Sequence, residues 1–312
     1  MSTLAGTLSA DLPASGDHCV TNVHDLHAAP PELAPGTQQN AHAREAAISE
    51  RVRRRRERAR IVAQAVAPAV LGIAVFLVLW QALTQWVAQL PGPAAVWDAA
   101  VRLYSDPFYV KGPNDQGIGW NVLTSLQRVG LGFGLAGLVG IPLGFLLGRF
   151  AFFNRMAAPI IAILRPVSPL AWLPIGLMVF KAANPAAIWV IFICSIWPMI
   201  INTAVGVQKV PQDYLNVARV LNLSEWKIFT RILLPAVLPY MLTGVRLSIG
   251  VAWLVIVAAE MLTGGVGIGF WLWDEWNNLV VEHIIVAIVT IGIVGLLLEQ
   301  LLLWLAHRFS YE

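Results

Sequence analysis

Six runs of the chain are long and apolar enough to cross a lipid bilayer: residues 64–88, 121–147, 157–180, 186–208, 236–263 and 284–305. A hydrocarbon core about 30 Å thick needs about 20 apolar residues in helical form. Within it, each backbone N–H and C=O has to find its partner inside the protein, as it does along a helix. The expected fold class is therefore all-α, a polytopic membrane protein with six transmembrane helices. Charged residues make up only 12% of the chain, against about a quarter in a soluble domain.

The charges are unevenly placed. Residues 44–60 hold eight Arg and three Glu, whereas residues 1–43 hold four acids and no Lys or Arg. A basic run can be a nucleic-acid arm, but this one ends at an apolar run, where clustered Arg fixes the cytoplasmic side of a span. No nucleic-acid partner is expected, and membrane lipid is. Three regions follow: a disordered tail over 1–43, a basic cytoplasmic juxtamembrane segment over 44–63, and the six-span domain over 64–312. Cys19, His18, His24 and His27 match no zinc spacing, so no metal site is expected, and the first 15 residues lack a cleavable leader pattern. Arg and Lys then collect in alternate loops, notably 148–156 and 209–235. Both termini are thereby expected in the cytoplasm.

The loop 209–235 is amphipathic. Pro211 suits a first helical position, and Tyr214, Ala218 and Leu221 share a face at i, i+4, i+7. Asn222 stands where a helix ends in a left-handed residue. Ser224 can cap a second helix, which places Trp226, Phe229 and Leu233 together, and Pro235 marks re-entry into the membrane.

Other features allow more than one reading. Gly132, Gly134 and Gly137 fit a dinucleotide fingerprint but follow no strand; the ladder Gly132, Ala136, Gly140, Gly144, Gly148 suits close helix packing. Pro159, Pro166, Pro169 and Pro174 predict a broken third span, either lining a pathway or simply kinked. Arg128, Arg165, Arg246, Glu260 and Glu299 are ionisable side chains inside spans, and a charge there should face protein or water. They serve either structural ion pairs or an anion pathway; the candidates for pathway contact are Arg128, Arg165, Arg246 and Glu260. Beyond span five, Trp271, Trp273 and Trp276 suit an interfacial belt. There Asp274, Glu275 and Glu282 form an acidic rim, with Trp273, Asp274 and Glu275 the candidates for a docking surface or outer gate. No catalytic constellation is visible.

Residues 216–235, NVARVLNLSEWKIFTRILLP, resemble the EAA loop of permease subunits in binding-protein-dependent ABC importers. Ala218, Ile232, Leu234 and Pro235 fall in register, while Asn216, Val217 and Asn222 replace the family's Glu, Ala and Gly. SLQRVGLGFGLAGLVGIPLGFLLG, LRPVSPLAWLPIGL and GVRLSIGVAWLVIVAAEM are similar to the branch serving nitrate, bicarbonate, cyanate, alkanesulfonates and taurine. AAEMLTGGVGIGFWLWDEWNNL and AHRFSYE look most like its nitrate permeases. The resemblance implies a type I ABC importer permease fold in the bacterial inner membrane. It makes 209–235 a coupling loop in which Tyr214, Ala218, Leu221, Asn222, Ser224, Trp226, Phe229 and Pro235 meet a cytoplasmic ATP-binding subunit. It further implies a second copy of the chain, a periplasmic or lipid-anchored solute-binding protein and a small-anion substrate. No G-x-x-x-x-G-K-[ST] occurs, so ATP and Mg belong to the partner ATPase, with no cofactor or enzymatic activity expected on this chain. Bicarbonate/cyanate or alkanesulfonate/taurine are the alternative substrates, and an ATPase-independent channel or secondary transporter the alternative class.

Overall fold

The computed structural model describes residues 66–87 and 89–309, with Arg53, Arg60 and Gln64. The expectations for the 1–43 tail and for most of 44–63 lie outside them. Among the described residues eleven α-helices run in order: α1 (Val66–Thr84), α2 (Pro93–Ser105), α3 (Ile118–Arg149), α4 (Ala151–Leu164), α5 (Pro169–Phe180), α6 (Ala183–Gln208), α7 (Gln212–Val220), α8 (Glu225–Ile228), α9 (Leu234–Thr263), α10 (Ile268–Asn277) and α11 (Val281–Phe309). Among the described residues the single departure from helix and loop is an isolated bridge, Val110–Gln116. Contacts divide the chain into residues 1–74 and 75–312. The described stretch of the first unit, 66–74, is helical and exposes Val66, Val70, Leu71 and Ile73.

The second unit is built on α3, α6 and α9, which pack side by side. Small residues permit the approach. A Cβ added at Gly132, Gly144 or Gly148 would come within 2.7 Å of Ile191, Thr203 or Val207 on α6. At Gly206 and Gly244 a Cβ would press against Tyr240 and Asn202 across the α6–α9 seam. Ser248 Oγ completes that seam by donating to the Ser195 carbonyl at 2.7 Å. The glycine ladder is thus a packing surface, as transmembrane helices commonly use it.

Among the described residues five helical stretches are long and apolar enough to span, and α4 with α5 makes a sixth candidate bent by 100°. The break falls where the prolines predict it. Ser168, preceding Pro169, is extended at ψ 136, because a residue before proline is driven out of the helical region. Pro169 then starts α5 at the position where its missing N–H costs nothing. The third span begins at Ala151 rather than at 157.

Pro235 differs from expectation. The helix does not break there: a π-helical turn, Phe229–Leu233, joins α8 to α9, so that residues 225–263 run as one helical rod. Leu234 N–H bonds to the Phe229 carbonyl, five residues back. The widened ladder reverts to four-residue spacing at the residue that cannot donate, which lets proline ride inside the rod.

The segments expected to be loops, 89–120 and 264–283, contain α2 and α10. α2 starts at Pro93 and buries Val96 and Ala99; α10 buries Ile268, Gly269 and Trp271. Both are too short to span and too mixed in polarity to stand out from the apolar runs around them.

Candidate functional site

The loop 209–235 is anchored from within and apolar without. α7 ends in a Schellman turn: Asn222 takes φ +50, and Leu223 N–H bonds back to the Ala218 carbonyl at 3.0 Å. Asparagine tolerates this conformation with less strain than most side chains. Ala218 and Leu215 are buried with Phe145, Val207, Ile228 and Leu233, which seats the turn on α3, α6 and the foot of α9. Tyr214 and Leu221, expected on the same face as Ala218, are instead exposed, and so are Val217 and Val220. The inward spacing is i, i+3 (Leu215, Ala218), one residue off the predicted stripe. Ser224 occupies the N-cap position of α8 but makes no side-chain cap bond. Trp226 lies 72% exposed and stacks on Phe229 at 5.8 Å, whose ring meets Phe145 of α3 edge-on at 5.0 Å. Glu225 and Arg149 are 3.8 Å apart, with Glu225 largely exposed, a contact worth little in water.

At the opposite end of α9 lies a fully buried carboxylate. Glu260 accepts from Arg128 Nη1 at 2.5 Å, from Ser125 Oγ at 2.8 Å and from the Gly269 N–H at 3.0 Å. Arg128 Nε also donates to Asn184 Oδ1 at 2.9 Å, tying in the start of α6. Asn121 Oδ1 and Ser125 Oγ accept from the Gly267 and Ile268 N–H groups at 2.9 and 3.0 Å. Consecutive orphan amides at the start of α10 are thus satisfied by α3 and α9. Gly264 and Gly265, at φ +74 and +90, turn the chain so that α10 folds back onto Glu260; side chains rarely adopt those angles. Asn121, Ser125 and Arg128 follow i, i+4, i+7 in an apolar span, a polar stripe that the sequence reading passed over.

The remaining intramembrane charges are separate from this hub. Arg246 on α9 pairs with Glu299 on α11, each about half exposed. Arg165 is exposed at the α4–α5 break. On α10, Trp273, Trp276 and Asp274 are exposed. Trp271 is buried and stacked on His283 at 6.1 Å, because the turn of α10 points it inward rather than into an interfacial belt. Glu275 is also drawn from the expected rim: its Oε2 lies 3.0 Å from His283 Nδ1 without the alignment of a hydrogen bond, and the carboxylate is mostly buried. Among the described residues no three His, Cys, Asp or Glu side chains gather as a metal ion would need.

Residues 140–311 match the family model described as "Binding-protein-dependent transport system inner membrane component". The chain belongs to that family. The permease is 50% identical over 241 residues to the nitrate import permease protein NrtB of Synechocystis sp., covering 77% of this chain and 87% of that one. It is 47% identical over 239 residues to the bicarbonate transport system permease protein CmpB of the same organism, covering 75% and 85%. Among solved structures, a chain of the inward-facing methionine ABC transporter MetNI superposes with a TM-score of 0.53 at 15% identity, covering 61% of this permease and 95% of that chain. That likeness carries the fold, a type I importer permease of all-helical build. The permease is a multi-pass inner-membrane transport subunit, and its family works with an ATPase and a solute-binding protein.

Proposed function

We propose that this permease carries nitrate, with nitrite as a close second, and forms one half of the pathway with a second copy of itself. The 50% identity to a nitrate import permease across most of both chains carries this reading. Two ATPase subunits, holding ATP and Mg, dock on the exposed apolar surface of Tyr214, Val217, Leu221 and Trp226. Both chain termini lie on that cytoplasmic side, as the basic loops support. Strokes of the ATPase pass from Trp226 through Phe229 to Phe145 and along the continuous 225–263 rod. The solute-binding protein meets the opposite face at Trp273 and Asp274. Of the four intramembrane candidates, Arg165 and Arg246 are exposed, and Arg246, which borders two cavities, is the pathway cation. Arg128 and Glu260 neutralise one another and hold α10 in place.

Bicarbonate is the second reading, favoured by 47% identity to a bicarbonate permease. Uptake by the full complex in proteoliposomes decides between them. Labelled nitrate should accumulate and be diluted by unlabelled nitrite, but not by bicarbonate, cyanate or taurine. Accumulation of bicarbonate without nitrate would transfer the assignment.

A further inference from the structure

Arg246 and Glu299 sit at matching depths. Arg246 is 12 residues into α9 and Glu299 is 10 residues from the end of α11, roughly 18 and 15 Å from the same side at 1.5 Å per residue. A half-exposed ion pair at that depth faces water or protein, because lipid cannot solvate it. Two cavities adjoin it. One of about 220 Å³ is lined by Pro239, Thr243, Arg246 and Leu302. The other, about 620 Å³, is lined by Arg246, Gly250, Trp253, Gly292 and Glu299. A Cβ at Gly250 or Gly292 would meet nothing within 4 Å, so the absence of side chains there leaves the larger space open.

Within the pair, Arg246 Nε donates to Glu299 Oε1 at 3.0 Å and Nη2 donates to the same oxygen. Among the described residues neither side chain has another hydrogen-bond partner. The guanidinium edge is thus filled by a planar, singly charged oxyanion supplied by the chain. Arginine's fork suits such a group, and a planar transported anion that takes the Nε–Nη2 edge has to displace it.

We propose that Glu299 is a resident competitor of the transported oxyanion for Arg246, and so a specificity-determining and release-determining residue of the pathway. This deepens the reading above and rests on it. When the anion takes that edge of the guanidinium, Glu299 is left unpaired beside it, and the like charges repel at close range. The occupied state is therefore shallow. Conduction through a membrane requires that shallowness, since a site that holds its ion tightly cannot release it. A group unable to replace a carboxylate on the guanidinium leaves the pair closed, which supplies selectivity.

The test uses the permease assembled with its ATPase and binding protein. Binding of ¹⁵N-nitrate to the ATP-free complex in nanodiscs is measured beside ATP-driven uptake in proteoliposomes. Glu299→Gln should bind nitrate about tenfold more tightly, a change of ~1.4 kcal/mol, and should slow uptake. Glu299→Asp should move binding in the same direction by less, and it serves if the Gln variant fails to assemble. The double variant Arg246→Gln/Glu299→Gln should lose the tight binding. Unchanged nitrate binding in both single variants, with the wild-type complex still importing nitrate, overturns the role of Glu299 and leaves the substrate assignment intact. A wild-type complex that imports no nitrate overturns both.

Discussion

The guanidinium of Arg128 and the carboxylate of Glu260 meet at 2.5 Å across 132 residues of sequence. Because the same carboxylate also receives the Gly269 N–H, one buried anion fixes α3, α9 and the start of α10 to each other. Removing one partner leaves an unpaired buried charge, which costs about 3–5 kcal/mol. Glu260→Ala should therefore lower the thermal unfolding midpoint of the detergent-solubilised permease sharply. The paired replacement Arg128→Met/Glu260→Leu should recover part of the loss, because it buries no charge but leaves the Gly269 N–H and Asn184 Oδ1 without partners.

Helix packing gives a second expectation. A Cβ at Gly144 would lie 2.6 Å from Thr203 Cβ and 2.8 Å from the Ile200 carbonyl, and the backbone contact cannot rotate aside. Gly144→Val should destabilise the α3–α6 seam by about 1–3 kcal/mol, the usual cost of overpacking. Monodisperse yield after solubilisation would report it. Gly134→Val, at a position where a Cβ meets nothing within 4 Å, is the matched control.

The Schellman turn makes a sharper separation. Asn222→Gly relieves a left-handed residue and should preserve ATP-driven uptake, whereas Asn222→Val forces a β-branched side chain to φ +50, at about 1–2 kcal/mol. The Val variant should insert normally yet lose coupling between ATP hydrolysis and uptake.

Trp226 is the largest exposed aromatic of the loop 209–235. Trp226→Ala should weaken association of the ATPase by about 2 kcal/mol or more, as buried aromatic anchors do at interfaces. Pull-down with the purified ATPase checks this. Undiminished binding would move the docking surface elsewhere.

The open space beside Arg246 yields a steric prediction. Gly292→Leu projects a side chain into the 620 Å³ cavity without meeting a neighbouring atom at its Cβ. Uptake should fall severalfold while assembly and ATP hydrolysis persist. Full uptake would place the pathway away from α9 and α11.

Much of this architecture was legible in the residues. Apolar length located the spans, the prolines around Ser168 located the broken one, and Asn222 gave away the turn because few side chains tolerate its backbone angles. α2 and α10 escaped because amphipathic helices this short carry too weak a period beside longer apolar runs. The face of α7 was misplaced by one residue because the inward stripe Leu215–Ala218 is set by the hollow between Phe145 and Leu233, a tertiary feature. Arg128 and Glu260 could each be marked as intramembrane charges, but their pairing depends on how three helices converge, and no spacing along the chain encodes that. Glu275 turned inward for the same reason: its partner His283 belongs to the next helix.

The central claim is that this permease moves nitrate only when an ATPase drives it. Proteoliposomes containing the permease and its ATPase, with the binding protein outside and ATP within, test it most directly. Nitrate should accumulate against its gradient with ATP and stay out when ATP is withheld. Nitrate flux through the permease alone, or accumulation indifferent to ATP, would contradict the account.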